Sequence, residues 1–135
     1  MIRAVDTSVL VAAFASWHAD HKRAVRELVR RPVVVAHSLV ETFSVLTRLP
    51  EPQRADPALV AEFLDRNFPD LPLTLDAVQL RSVPTTLSEF GISGGAAYDG
   101  LIALTAQAHG VQLVSLDRRA ENTYRRCGVS VELLS

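Results

Sequence analysis

The chain has 135 residues, a length that fits one domain of ordinary size. Hydrophobic residues make up 48% of it, which supports a packed core and excludes a disordered chain. A net charge of −1 excludes a global basic field, and the single cysteine, Cys127, excludes an internal disulfide and fits a reducing compartment.

Taken in order, the run Ile2–Val5 reads as a buried strand that stops at Asp6, followed by a helix from Ser8 to about Ala15. Arg3, the apolar stretch from Val9 and the triplet Ala13-Phe14-Ala15 loosely mimic a secretory signal. Asp6 interrupts that segment, however, and its removal would delete a central strand, so a cytoplasmic location is expected. No run approaches the ~20 apolar residues of a membrane span, so no membrane partner is expected.

A second helix is expected over Ala19 to Arg31. Pro32 then opens a β-branched strand, Val33 to Ala36. Ser38 to Leu49 is helical and ends at Pro50 and Pro52. Asp56-Pro57 starts the next helix, with aspartate as cap and proline in the first turn, running to about Phe68. Leu73-Thr74-Leu75 is a brief strand, and Asp76 with Gln79 forms a capping box for a helix that Pro84 should kink or split into two pieces before Gly91.

Gly94-Gly95 releases the chain into a helix from Ala96 to His109. Val111 to Leu116 is the second long strand and stops at Asp117; Arg118 to Cys127 is helical; Val129 to Leu133 is the last strand. There is no internal repeat and no linker. The alternation predicts a single α/β domain over residues 1–135, a three-layer sandwich with a mostly parallel five-stranded sheet flanked by helices.

Asp6 and Asp117 each terminate a strand and precede a helix, so each suits a helix cap. In an open parallel sheet, ligands also sit beyond the carboxyl ends of the strands, and a capping aspartate keeps one oxygen free. Two such acids suggest a single acidic pocket, which is costly unless a cation, usually a divalent metal, fills it. Asp99 sits inside a helix with Ile102, Ala103 and Ala106 at spacings of three, four and seven, on the face that should be buried. Its alternative is a surface acid gaining from the helix dipole. Glu41 has two readings. Ser38 and Glu41 match a capping box, yet Glu41 also follows the second strand by one turn and points toward the same sheet edge.

Other features are weaker. His18 and His21 flank Asp20, but this spacing without a further ligand is poor evidence for zinc and suits a solvated helix start. Lys22, Arg23, Arg26 and Arg30 form a stripe that, with Arg118, Arg119, Arg125 and Arg126, would track a phosphate backbone; a solvated charged face explains the first group equally well. Gly91 to Gly95 neither follows a strand nor precedes a lysine, so it is not a nucleotide loop.

The order of fragments resembles the PIN-domain ribonucleases, and more narrowly the VapC toxins of toxin–antitoxin pairs. The residues that carry it are Asp6-Thr7-Ser8-Val9-Leu10, Glu41, Tyr98-Asp99-Gly100-Leu101-Ile102-Ala103 with Thr105-Ala106, and Ser115-Leu116-Asp117. Ser115 stands where threonine is frequent, Gly100 where alanine is frequent and slightly loosens the helix, and Ala120 replaces a common aromatic; no acid is missing. The resemblance implies that Asp6, Glu41, Asp99 and Asp117 converge at one end of the sheet.

It also implies RNA cleavage, a homodimer, and inhibition by a VapB-like antitoxin whose C-terminal segment blocks the pocket. Asp6, Asp99 and Asp117 would contact Mg2+, or Mn2+ in its place, with Glu41 holding a water or a second ion, and Ser8 and Ser115 orienting carboxylates. Hydrolysis by water would leave a 5′-phosphate and a 3′-hydroxyl. A receiver domain would need adjacent acids after the first strand, and a haloacid-dehalogenase-like phosphatase would need a second acid at Ser8. A PIN-like module that binds RNA or protein without cutting is the remaining alternative.

Overall fold

A computed structural model describes all residues, 1–135. Four parallel strands, β1 (Arg3–Val5), β2 (Val33–Val34), β3 (Gln112–Ser115) and β4 (Val131–Leu133), lie in the order β2-β1-β3-β4. Between and around them run α1 (Thr7–Phe14), α2 (His21–Val29), α3 (Ala36–Thr47), α4 (Pro57–Asn67), α5 (Ala77–Glu89), α6 (Ala96–Ala108) and α7 (Glu121–Arg126). No helix is long and apolar enough to cross a membrane.

The strand period of two divides the core. Ala4, Leu113 and Val131 face one layer, where Val83 and Leu87 of α5, Ile102 and Ala106 of α6 and Tyr124 of α7 pack. Val5, Val34 and Val114 face the other, against Val9 and Leu10 of α1, Leu46 of α3 and Val60 of α4. The sheet is thus buried on both faces, as short apolar parallel strands require. In α6, a Cβ on Gly100 would stand 2.5 Å from Leu87 Cδ2. This glycine lets α5 close against α6.

Four expectations change. The fifth strand shrinks to one parallel bridge, Leu73 to Val35, with Leu73 N–H on Val34 O and Ala36 N–H on Leu73 O at 2.9 Å each. Pro72, which has no N–H, and the Asp76 cap three residues on leave no room for more. Helix α5 is not split at Pro84. Pro84 and Leu80 are both exposed, on the side where a lost intrahelical hydrogen bond costs least, while Val83 and Leu87 anchor the opposite side.

Helix α3 begins at Ala36, two residues early, which places Ser38 inside the first turn and excludes it as the cap. Helix α7 begins at Glu121 rather than Arg118, because Asp117 first makes a turn of its own: its Oδ1 accepts from Arg119 N at 2.9 Å and its carbonyl from Ala120 N. The Asp76–Gln79 capping box forms as expected.

Candidate active site

Strands β1 and β3 are neighbours, and the acids that follow them stand side by side at the carboxyl edge of the sheet. Asp6 is buried and caps α1, accepting at Oδ1 from Val9 N (3.3 Å) and Ser8 Oγ (2.5 Å). Its Oδ2 accepts from the Tyr124 hydroxyl at 2.7 Å. Burial pushes the Asp6 carboxyl above its ordinary range, and the hydroxyls of Ser115, Ser8 and Tyr124 oppose that shift. Tyr124 is pushed upward in turn, by burial first and then by the Asp6 charge, so its phenol keeps its proton.

The two serines bind the strand ends together. Ser8 Oγ accepts from Leu116 N at 2.9 Å and lies 3.4 Å from Ser115 Oγ, which accepts from Asp117 N at 2.9 Å. The hydroxyls therefore fix the turn carrying Asp117 against the turn carrying Asp6.

Asp99 enters from the first turn of α6 and is half-buried. Burial, then the charges of Glu41, Asp117 and Asp6, push its carboxyl up to about 6. Glu41 comes from α3. The capping-box alternative fails: Ser38 Oγ has no partner, and Glu41 Oε2 lies 3.6 Å from Nε2 of His37 one turn earlier. His37 in turn stacks on Tyr98, with ring centroids 5.4 Å apart and planes 2° from parallel.

All four predicted acids line one cavity of about 460 Å3, together with Ser8, Tyr124, His18, Asp20 and Arg119. Ser115 lies behind it, fully buried. A larger cavity of about 620 Å3 beside β2 contains one acid, Asp70, among Val29, Phe68 and other mostly apolar or basic side chains. Chemistry, not volume, marks the smaller one.

Tyr124, Asp20, Arg119 and His18 are additions to the expected site. His18 lies at the cavity rather than in a purely solvated helix start, with its Nδ1 accepting from Asp20 N at 3.0 Å. A tyrosine at i+4 from Ala120 reads as core, and only the position of its hydroxyl reveals the link to Asp6.

The donors suit a hard cation. Apart from the His18 imidazole, whose Nδ1 already accepts from Asp20 N, they are carboxylate oxygens with hydroxyls behind them and no thiolate, a set that matches magnesium or manganese better than zinc. As placed, no three Asp, Glu, His or Cys side chains already form a cation cage. Asp6 is occupied by its hydroxyl partners, and Asp99 is raised by burial first and then by the neighbouring carboxylates, the part of the shift that a cation would relieve.

The PIN domain model matches residues 3–126. Ribonuclease VapC40 of Mycobacterium tuberculosis is 48% identical over 132 residues, 98% of each chain. Ribonuclease VapC27 of the same species is 40% identical over 129 residues, 95% of this chain and 93% of that one. The crystal structure of VapBC2 from Rickettsia felis, bound to a DNA fragment from their promoter, covers 100% of both chains with a TM-score of 0.67 at 16% identity, a likeness of fold alone. By sequence and by fold, this chain belongs to the PIN-domain family, on its VapC branch.

Proposed function

We propose that this protein is the toxin of a VapBC-like pair, an endoribonuclease of the cytoplasm that hydrolyses RNA phosphodiesters with Mg2+, or Mn2+ in its place. The observation that carries the reading is the meeting of Asp6, Glu41, Asp99 and Asp117 in one cavity, three of them close enough to Asp99 to raise its pKa. The two relatives named as ribonucleases match over nearly the whole chain and support the same chemistry.

Asp6, Asp99 and Asp117 would hold the cation, directly or through water, and Glu41 would orient the attacking water. When bound, the ion supplies positive charge against the phosphate and a lower pKa for water. Ser8 and Ser115 keep the Asp6 and Asp117 turns in register, and Tyr124 holds Asp6 in one rotamer. Attack of water at phosphorus forms a new P–O bond and breaks the bond to O3′, which leaves with a proton. The products are a 5′-phosphate and a 3′-hydroxyl. A VapB-like antitoxin would silence the site by placing a C-terminal segment, with a basic side chain, among the carboxylates. A homodimer fits the same family.

The test is an RNA-cleavage gel with magnesium or manganese, with and without EDTA, followed by chemical typing of the new ends. Metal-dependent cleavage leaving 5′-phosphate ends is expected. Cleavage that persists in EDTA, or that leaves a 2′,3′-cyclic phosphate, contradicts the mechanism. Metal binding with every RNA left intact would favour a binding module instead.

A further inference from the structure

The geometry points to Tyr98, backed by His37, as a stacking platform that takes one nucleobase of an RNA strand beside the acidic cavity. This rests on the nucleic-acid reading above and names the residue that would hold the strand.

The problem it solves is electrostatic. The cavity is lined by four acids at its centre with Arg119 as its one arginine, and the net charge is −1, so Coulomb attraction alone recruits a polyanion only weakly to this edge. An aromatic face binds a base without regard to charge, and every base has such a face. Tyr98 is the residue immediately before Asp99, yet the residue is 57% exposed, a large aromatic side chain left open to water.

One side of that ring is already engaged. His37 lies parallel to it at 5.4 Å between ring centroids, with its Nε2 3.6 Å from Glu41 Oε2 and without a hydrogen-bond partner. Packing against His37 restricts the ring before any base arrives, which lowers the entropy lost on stacking. Each ring of the pair is also tied to an acid of the cavity, Tyr98 along the chain to Asp99 and His37 across one helical turn to Glu41. A base on Tyr98 thus sits next to the phosphodiester that the acids would address. Trp17, also half-exposed, is the competing surface; its neighbour His18 is tilted by 35° at 6.0 Å and does not back it in the same way.

The experiment uses a set of short single-stranded RNAs, each with one 2-aminopurine moved to successive positions, with magnesium present. Binding is measured in the Asp117→Asn protein, so that the strand stays whole. Stacking predicts that fluorescence is quenched at one position. Tyr98→Phe should keep the quench, and Tyr98→Leu should abolish it and weaken binding by about tenfold. Unchanged quenching in Tyr98→Leu, its loss in Tyr98→Phe, or no quenched position at all overturns the platform. Quenching as expected, alongside a wild-type protein that leaves every RNA intact, overturns the nuclease reading and supports the platform.

Discussion

The hydroxyl of Tyr124, in the last helix, donates to Oδ2 of Asp6, at the end of the first strand, across 118 positions of sequence. With Ser8 and Val9 on the other oxygen, the bond fixes a buried carboxylate in one rotamer. Tyr124→Phe keeps the ring and strands that oxygen, so it should cost about 1–3 kcal/mol. Urea unfolding measures this. Cleavage should also fall, because Asp6 regains freedom at the position where it would meet the cation.

Asp99 gives a pH signature. Its native carboxyl holds a proton up to about 6 against an ordinary 3.8. Between those values the folded state binds more protons than the unfolded one, so this group's contribution to stability falls as pH rises through the window. Asp99→Asn should therefore raise Tm at neutral pH in EDTA and change it little near about pH 4. The same variant should keep the fold and lose most cleavage. Calorimetry and the gel assay check the two halves separately, and near wild-type rates in the purified variant would contradict the role assigned to Asp99.

Magnesium should reverse that penalty. A ligand bound only by the native state adds about 2.7 kcal/mol when present at a hundred times its Kd. The Tm rise with magnesium should be clear at neutral pH, shrink below about 6 as Asp99 takes up its proton, and be lost in Asp117→Asn. A Tm rise that ignores both pH and Asp117 places the ion elsewhere.

Far from the cavity, Arg3 reaches Glu27 with two bonds, at 2.9 and 2.8 Å, and Glu132 at 2.9 Å. The Glu27 side chain is only 2% exposed. Arg3→Met leaves that charge buried with only a distant Arg30 at 3.9 Å, and should cost about 3 kcal/mol. The double variant with Glu27→Leu should recover much of the loss, read by the same urea titrations.

Arg119 lines the cavity with its side chain 96% exposed, while its backbone N–H holds Asp117. Arg119→Ala should leave Tm unchanged, weaken RNA binding, and reduce the slope of log affinity against log salt by about one. An unchanged slope means that the side chain meets no phosphate.

The acids were legible in sequence because strands and carboxylates announce themselves together. Ile2–Val5 and Val111–Leu116 are apolar runs that end in aspartate, and Asp99 interrupts a buried helical face. Glu41 was harder. Its capping-box pattern depends on where α3 begins, and a shift of two residues, with the chain already turning at Ala36, removes that reading. The fifth strand was overestimated because β-branched and leucine-rich character does not count hydrogen bonds; Pro72 and Asp76 do. Tyr124 and the Tyr98–His37 stack were not visible at all. Each depends on a contact between elements far apart in the chain, and no local pattern encodes a partner more than fifty residues away.

Anomalous diffraction from crystals grown with manganese bears most directly on the carboxylate cluster. The account predicts one strong peak within about 2.2 Å of oxygens from at least two of Asp6, Asp99 and Asp117, with Glu41 facing it directly or through water. A protein that cuts RNA while manganese is absent from this cavity, or bound only at the exposed surface, would contradict it.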